Sequence, residues 1–126
     1  MSMNYRNALA QVRDLKVKQD ILQLNYDEEH ELLLDPIIIK RQHVIAVLKR
    51  FKQERLSQED LFDWIHFVWF SDFFTSIDED AECISSVIQV LEELEEEGNI
   101  MIEDIEPCLY ALENNIEAKR LLYHDL

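Results

Sequence analysis

Residues 76–98 read SIDEDAECISSVIQVLEELEEEG, the clearest helical pattern in the chain. Apolar side chains recur there at the i, i+3, i+4 and i+7 spacing of an amphipathic helix: Ile84, Val87, Ile88, Leu91 and Leu94. The acidic residues between Ser76 and Asp80 would be stabilised by the positive N-terminal end of the helix dipole. Gly98 followed by Asn99 is typical of a helix C-terminus. The stretch therefore predicts a long helix with one buried face.

The preceding segment, SQEDLFDWIHFVWF, begins with a capping-box pattern at Ser57. A hydroxyl at the N-cap and acidic residues in the first turn predict a helix from Gln58 to about Ser71. Its apolar residues cover one broad side, namely Leu61, Phe62, Trp64, Ile65, Val68, Trp69 and Phe73, while Phe67, Phe70 and Phe74 fall opposite. A helix so apolar around its circumference is usually central.

The remaining segments are also predicted to be helical, with one exception. Residues 4–24 have amphipathic spacing, and residues 25–34 have no clear period and are predicted to be a loop or a short turn. Asp35 and Pro36 form a favourable helix start, followed by inward Ile37, Val44, Val47, Leu48 and Phe51. A short helix is expected from Glu103 or Asp104, with Ile105, Cys108, Leu109 and Leu112 inward, and a final one from Ile116 to Tyr123.

Composition supports the same fold class. A single glycine and two prolines leave little material for hairpin turns, whereas 48% hydrophobic and 10% aromatic residues can form a core despite a net charge of −15. At 126 residues the chain suits one domain. We therefore predict an all-α single domain over residues 1–126, a bundle of five or six helices.

The charge is distributed very unevenly. Residues 56–118 contain 18 Asp and Glu but no Lys or Arg. Residues 1–56 carry a net charge of +2 and residues 57–126 a net charge of −17. The electric field of this negative charge repels nucleic acid and anionic membrane surfaces, and it accelerates association with cationic proteins. The basic second helix can neutralise only part of this excess, so the sequence predicts a basic protein partner, without nucleic acid or membrane binding.

Two groups of side chains are candidates for binding that partner. The first is the acid run Glu92, Glu93, Glu95, Glu96 and Glu97, which lies unfavourably at the negative end of its helix dipole and is either a solvated face or a recognition surface. The second surrounds the aromatic helix: Glu59, Asp60, Asp63, Phe67 and Phe70. Aromatic residues ringed by acid are a plausible hot spot for a basic protein, and burial beneath the N-terminal helix is the alternative.

Patterns for other kinds of site are weak. Asp27-x-x-His30 and Asp63-x-x-His66 imitate a metal-ligand spacing, but further inward carboxylates are not evident, so we expect no metal and no cofactor. Neither cysteine lies in a catalytic signature and no glycine-rich phosphate loop is present, so we expect no enzyme activity and no catalytic residues. We also expect no signal peptide, no membrane span and a cytoplasmic location, with Cys83 and Cys108 reduced and buried.

The stretch RFKQERLSQEDLFDWIHFVW, followed after a spacer by an acidic helix and LEELEEEGN, resembles small bacterial immunity proteins of the colicin D and contact-dependent-inhibition type. The resemblance covers about residues 45–98 and does not extend to the first 30. It implies an all-helical inhibitor whose acidic side chains occupy the cationic active site of a nuclease toxin. The residues in that role would be Glu59, Asp60, Asp63 and the acid run.

The predicted function is therefore that of a non-catalytic acidic binding protein, an immunity protein that inhibits a basic nuclease toxin by occluding its cationic site. The alternative is a structural or regulatory interaction protein, for example a homodimer that buries excess apolar helix surface against its own copy.

Overall fold

The computed structural model describes residues 5–16, 33–98 and 100–118. Within these ranges five helices and two strands follow in the order α1 (Tyr5–Arg13), β1 (Ile37–Ile39), α2 (Arg41–Lys52), α3 (Gln58–Phe70), β2 (Phe74–Ser76), α4 (Asp78–Glu96) and α5 (Ile102–Asn114). The fold is all-α apart from the two short strands, which confirms the predicted class.

Helix α3 begins where the capping pattern predicts. The Ser57 hydroxyl accepts a hydrogen bond from the backbone N–H of Asp60 (3.0 Å), which satisfies one of the free donors of the first turn. The inward residues Leu61, Phe62, Trp64, Ile65 and Val68 are buried. The indole of Trp64 donates to the carbonyl of Val12 (3.1 Å), so α3 is also held to α1 through a buried hydrogen bond.

Helices α4 and α5 also follow their predicted patterns. The periodic residues of α4 are buried, and the chain leaves the helix at Gly98 with φ of +87°, a conformation that favours glycine. Helix α5 begins at Ile102, just before the predicted start, and buries Ile105, Cys108, Leu109 and Leu112.

The predicted helix start at Asp35 and Pro36 is wrong. Residues Ile37–Ile39 instead form β1, which pairs in parallel with β2, and the Ile37 N–H donates to the carbonyl of Phe73 (2.8 Å). Three consecutive β-branched residues favour an extended chain once a partner strand is present. Helix α2 therefore begins only at Arg41, where the Lys40 N–H donates to Nδ1 of His43 (2.8 Å).

The N-terminal helix is shorter than predicted. Leu15 adopts φ of +64°, and the Lys16 N–H closes the helix end by donating to the carbonyl of Gln11 (2.8 Å). Residues 116–118 are not helical, so the final helix does not begin at Ile116. Residues 17–24, most of the predicted loop over 25–34, and residues 119–123 lie outside the described residues.

One hydrophobic core joins all seven elements, with α2 packed against α3, α4 and α5. A buried ion pair also holds α2 and α4 together. The Arg41 side chain donates from Nε to Oδ1 of Asp80 (2.9 Å), and the Arg41 backbone N–H donates to Oδ2 (3.1 Å). The guanidinium also donates to the carbonyl of Leu112 near the end of α5 (2.7 Å), so one cation connects three helices.

Candidate functional site

The outer side of α3 carries a straight line of exposed side chains. Glu59, Asp63, His66 and Phe70 follow one another at i, i+4, i+7 and i+11, the spacing of a single helix face. All four are exposed, and Phe70 keeps 56% of its surface accessible. At a rise of about 1.5 Å per residue the line is roughly 16 Å long. It presents two carboxylates and, toward the end of the helix, an exposed aromatic ring.

The end of α4 is held beside this line by two contacts. Nε2 of His66 lies 3.0 Å from Oε1 of Glu95, and the Ile100 N–H donates to Oε1 of Gln58 (3.3 Å). The two contact points on α3 are eight residues apart, so the chain from Glu95 to Ile100 runs antiparallel to α3. We call Glu59, Asp63, His66, Phe70 and Glu95 the acid–aromatic surface.

His66 contacts two other members of this surface, Glu95 and Phe70. Its ring lies between the rings of Phe62 (centroids 6.3 Å apart) and Phe70 (6.0 Å). The contact with Glu95 is ionic only when the imidazole is protonated, and with the neutral ring it is a hydrogen bond. The contact places the Glu95 carboxylate against α3, on the face that also carries Asp63.

The predicted acid run is divided around α4. Glu92 lies about 60° from Glu95 on the helical wheel, Glu96 about 100°, and Glu93 and Glu97 about 160°. Glu92 and Glu95 are half-buried, and Glu95 contacts His66 of α3, whereas Glu93, Glu96 and Glu97 are exposed. The five carboxylates therefore do not form one surface.

The other two predicted residues of α3 lie off the exposed line. Phe67 is half-buried and packs edge-on against Phe74, with ring centroids 5.9 Å apart, so it supports the core. Asp60 is half-buried in the first turn beside the Ser57 cap. Glu59, Asp63 and Phe70 are thus brought together with Glu95, while Asp60 and Phe67 are turned toward the flank.

The acid–aromatic surface keeps its negative charge because no described Lys or Arg pairs with it, and several cations pair with other acids. Arg41 pairs with Asp80, Lys52 with Glu106, and Arg13 with its neighbour Asp14. Among the described residues, no Lys or Arg forms an ion pair with Glu59 or Asp63. The prediction that the basic second helix neutralises some of the acids internally is therefore confirmed for two of its cations, and neither acts on this surface.

Three titratable side chains, Asp80, Cys83 and Cys108, are buried in the core, where they stabilise or fill the structure. Burial alone would raise the pKa of Asp80, but the hydrogen bonds and charge of Arg41 hold it below its ordinary range. Cys83 and Cys108 are free and buried, as predicted. Burial raises the pKa of both thiols, that of Cys108 to about 12, so both stay protonated at neutral pH and neither is an activated nucleophile.

The described residues contain neither a cluster of metal ligands nor a membrane-spanning helix. Within residues 5–16, 33–98 and 100–118 no three His, Cys, Asp or Glu side chains converge as metal ligands, and the Asp27-x-x-His30 pattern lies outside these ranges. No helix in the same ranges is both long and apolar enough to cross a bilayer. The carboxylates of the acid–aromatic surface can accept hydrogen bonds from cations, and its exposed Phe70 ring can pack against an apolar group.

Sequence reasoning did not include His66 in the site. The signal was present, because Glu59, Asp63, His66 and Phe70 have the spacing of one helix face, but the contact with Glu95 joins residues 29 positions apart.

Comparison of the chain with protein-family models, curated proteins and solved structures finds no match.

Proposed function

We propose that this chain is a non-catalytic binding protein that holds a basic protein through the acid–aromatic surface. The observation that carries the proposal is the exposed line of Glu59, Asp63 and Phe70, where two carboxylates without a Lys or Arg partner among the described residues accompany an aromatic ring that is 56% exposed. Large exposed aromatic rings are typical anchors of protein interfaces.

The mechanism follows from the chemistry of these groups. Carboxylates form short charge-assisted hydrogen bonds with Arg and Lys, in the same positions that substrate phosphates would take on a cationic enzyme. Phe70 would exclude water beside them, which strengthens each ionic contact. The net charge of −17 over residues 57–126 would accelerate the encounter.

The resemblance to immunity proteins supports a nuclease toxin as the class of partner. In that case the protein inhibits by covering the cationic site, without chemistry of its own. The proposal for α4 is limited to Glu95, with Glu92 beside it, because Glu93 and Glu97 face another direction on the helical wheel.

The test compares two variants that lose the same charge at opposite places. One is Glu59→Gln with Asp63→Asn on the acid–aromatic surface. The other is Glu82→Gln with Glu113→Gln, two exposed residues at the far end of the molecule, where Asn115 contacts the carbonyl of Glu79 (3.1 Å). Wild-type protein is used to capture and identify the partner from a lysate of the source cells at low salt.

The association rate of each variant with the purified partner is then measured at two salt concentrations. We expect the surface variant to associate about tenfold more slowly and with weaker salt dependence, and the control variant to remain within about twofold of wild type. If the partner degrades nucleic acid, wild-type protein should suppress that activity. Equal losses of association rate in both variants would show that only the net charge matters, and would refute the assigned surface.

A self-association measurement distinguishes the proposal from the homodimer alternative. Light scattering on the purified chain should give the monomer mass at micromolar concentration. A stable dimer whose formation protects Phe70 from solvent would show that this surface serves a second copy of the chain and would overturn the proposal.

A further inference from the structure

The two edges of the small sheet are not equivalent. The outer edge of β1 is covered by α1, because Arg13 donates from Nη1 to the carbonyl of Ile38 (2.9 Å) and Arg6 donates to the carbonyl of Asp35 (2.6 Å). No described residue forms hydrogen bonds of this kind along the outer edge of β2. The described residues thus close the outer edge of β1 with hydrogen bonds and form none along the outer edge of β2.

The register shows which backbone groups point to the open side. Ile37 pairs with Phe74 and its N–H donates to the carbonyl of Phe73, so the alternation of a parallel ladder directs the N–H and C=O of Thr75 toward β1. The backbone groups of Phe74 and Ser76 then point away from β1, and Ser76 is half-buried whereas Phe74 is buried. An open edge of this kind is a template for adding another strand.

A cavity lies beside this edge. It has a volume of about 180 Å³ and is lined by Val68, Trp69, Phe74, Thr75, Ser76 and Ile39. Cavities of roughly 150 Å³ lined by apolar side chains accommodate a benzene-sized group. The space beside Trp69 is therefore large enough for one apolar side chain of an added strand.

Carboxylates stand at both ends of the open edge. Asp72 is exposed two residues before β2, and Asp78 and Glu79 are exposed two and three residues after it. Basic residues on either side of an added strand would complement these charges. A second copy of this chain would bring identical acids to the same places, so self-pairing through β2 is disfavoured.

We propose that the open edge of β2 binds an extended segment of another protein, which adds a strand beside Phe74 and Ser76. Its apolar side chain enters the cavity beside Trp69, and its flanking Lys or Arg side chains face Asp72 and Asp78. None of these residues belongs to the acid–aromatic surface, so this inference does not depend on the proposed function.

The probe is a heptapeptide, acetylated and amidated, with arginine at both ends and alternating threonine and valine between them. It is titrated into the isotope-labelled full chain and followed by the amide signals of Phe74 and Ser76 and the indole signal of Trp69. We expect saturable shifts at these three positions and slower amide exchange at Phe74 and Ser76. The same peptide with aspartate at both ends should bind about tenfold more weakly.

Two matched controls test the backbone contact. Ser76→Pro removes the outward N–H and leaves the ladder to β1 intact, a position where edge strands tolerate proline, whereas Ser76→Ala keeps the N–H and removes only the hydroxyl. We expect at least about tenfold weaker binding for Ser76→Pro and a change within about twofold for Ser76→Ala. A peptide N-methylated at alternate amides supplies the same test should Ser76→Pro not fold.

Four results would overturn the inference. The first is an absence of shifts at millimolar peptide. The second is a set of shifts confined to Glu59 and Asp63, which would indicate nonspecific attraction to the acid–aromatic surface. The third is unchanged affinity of the N-methylated peptide, because binding would then not use the strand edge. A concentration-dependent dimer through β2 without peptide would equally assign the edge to a second copy.

Discussion

Replacing Arg41 by Met should destabilise the protein more than replacing Asp80 by Asn or Lys49 by Met. Arg41 reaches three places at once, since its side chain binds Oδ1 of Asp80 and the carbonyl of Leu112 while its backbone N–H binds Oδ2 of Asp80. Asp80 is only 6% exposed. Removal of the guanidinium would leave a buried carboxylate with one hydrogen bond from α2 and only the charge of Lys40 to compensate it.

The size of the effect follows from this geometry. Breaking a buried ion pair by removing one partner costs about 3–5 kcal/mol. The remaining N–H bond and the 30% exposure of the Arg41 side chain place the expected loss at the lower end, about 3 kcal/mol. Asp80→Asn keeps the shape and removes the charge, so it should cost about 1–2 kcal/mol. In the double variant the two losses should not add, with a coupling of about 1–2 kcal/mol.

Urea unfolding followed by far-UV circular dichroism and tryptophan fluorescence gives the free energy of unfolding for each variant. Lys49→Met is the matched control, because Lys49 is exposed on the same helix and its replacement should stay within about 0.5 kcal/mol of wild type. A loss below about 1 kcal/mol for Arg41→Met, or a coupling near zero, would refute the view that this ion pair holds α2, α4 and α5 together.

Three further predictions concern the same fold. Because the folded pKa of Asp80 lies below its ordinary value of 3.8, its contribution is fully present above pH 3.8 and is lost as the pH falls through the folded value. Stability measured at about pH 3 should therefore have fallen more in wild type than in Asp80→Asn, relative to neutral pH; parallel losses would contradict this. Ser57→Ala should lower the free energy of unfolding by about 1 kcal/mol through the lost cap, and Ser85→Ala, at an exposed position, should have little effect. Cys83 and Cys108 should resist a thiol reagent in the native protein and react in urea, and rapid native labelling would show that the buried environment is wrong.

The helices with the strongest local signals were predictable from the sequence. The Ser57 cap and the glycine at position 98 mark helix ends through groups within a few residues, and the periodic apolar residues of α4 and α5 identify their inward faces. These signals are local because helical hydrogen bonds join residues four apart. They predict helix ends and inward faces without reference to any neighbouring element.

The strands were not predictable by the same reasoning. Asp35 and Pro36 form a favourable helix start, but Ile37–Ile39 find their hydrogen-bond partners 37 residues later in β2. No local sequence pattern predicts a parallel partner strand at that distance. The extended conformation is therefore chosen by pairing and not by the capping residues that precede it.

For the candidate site, too, the sequence determines some features and the tertiary structure determines the others. The sequence alone determines that the second half is anionic, that its acids outnumber its cations, and that Glu59, Asp63 and Phe70 share a face of one helix, since these follow from composition and helical period. Only the tertiary structure decides which acids remain available. Asp80 is withdrawn into the core by Arg41, and Glu95 is joined to α3 by His66, because packing brings together residues that lie 39 and 29 positions apart in the chain.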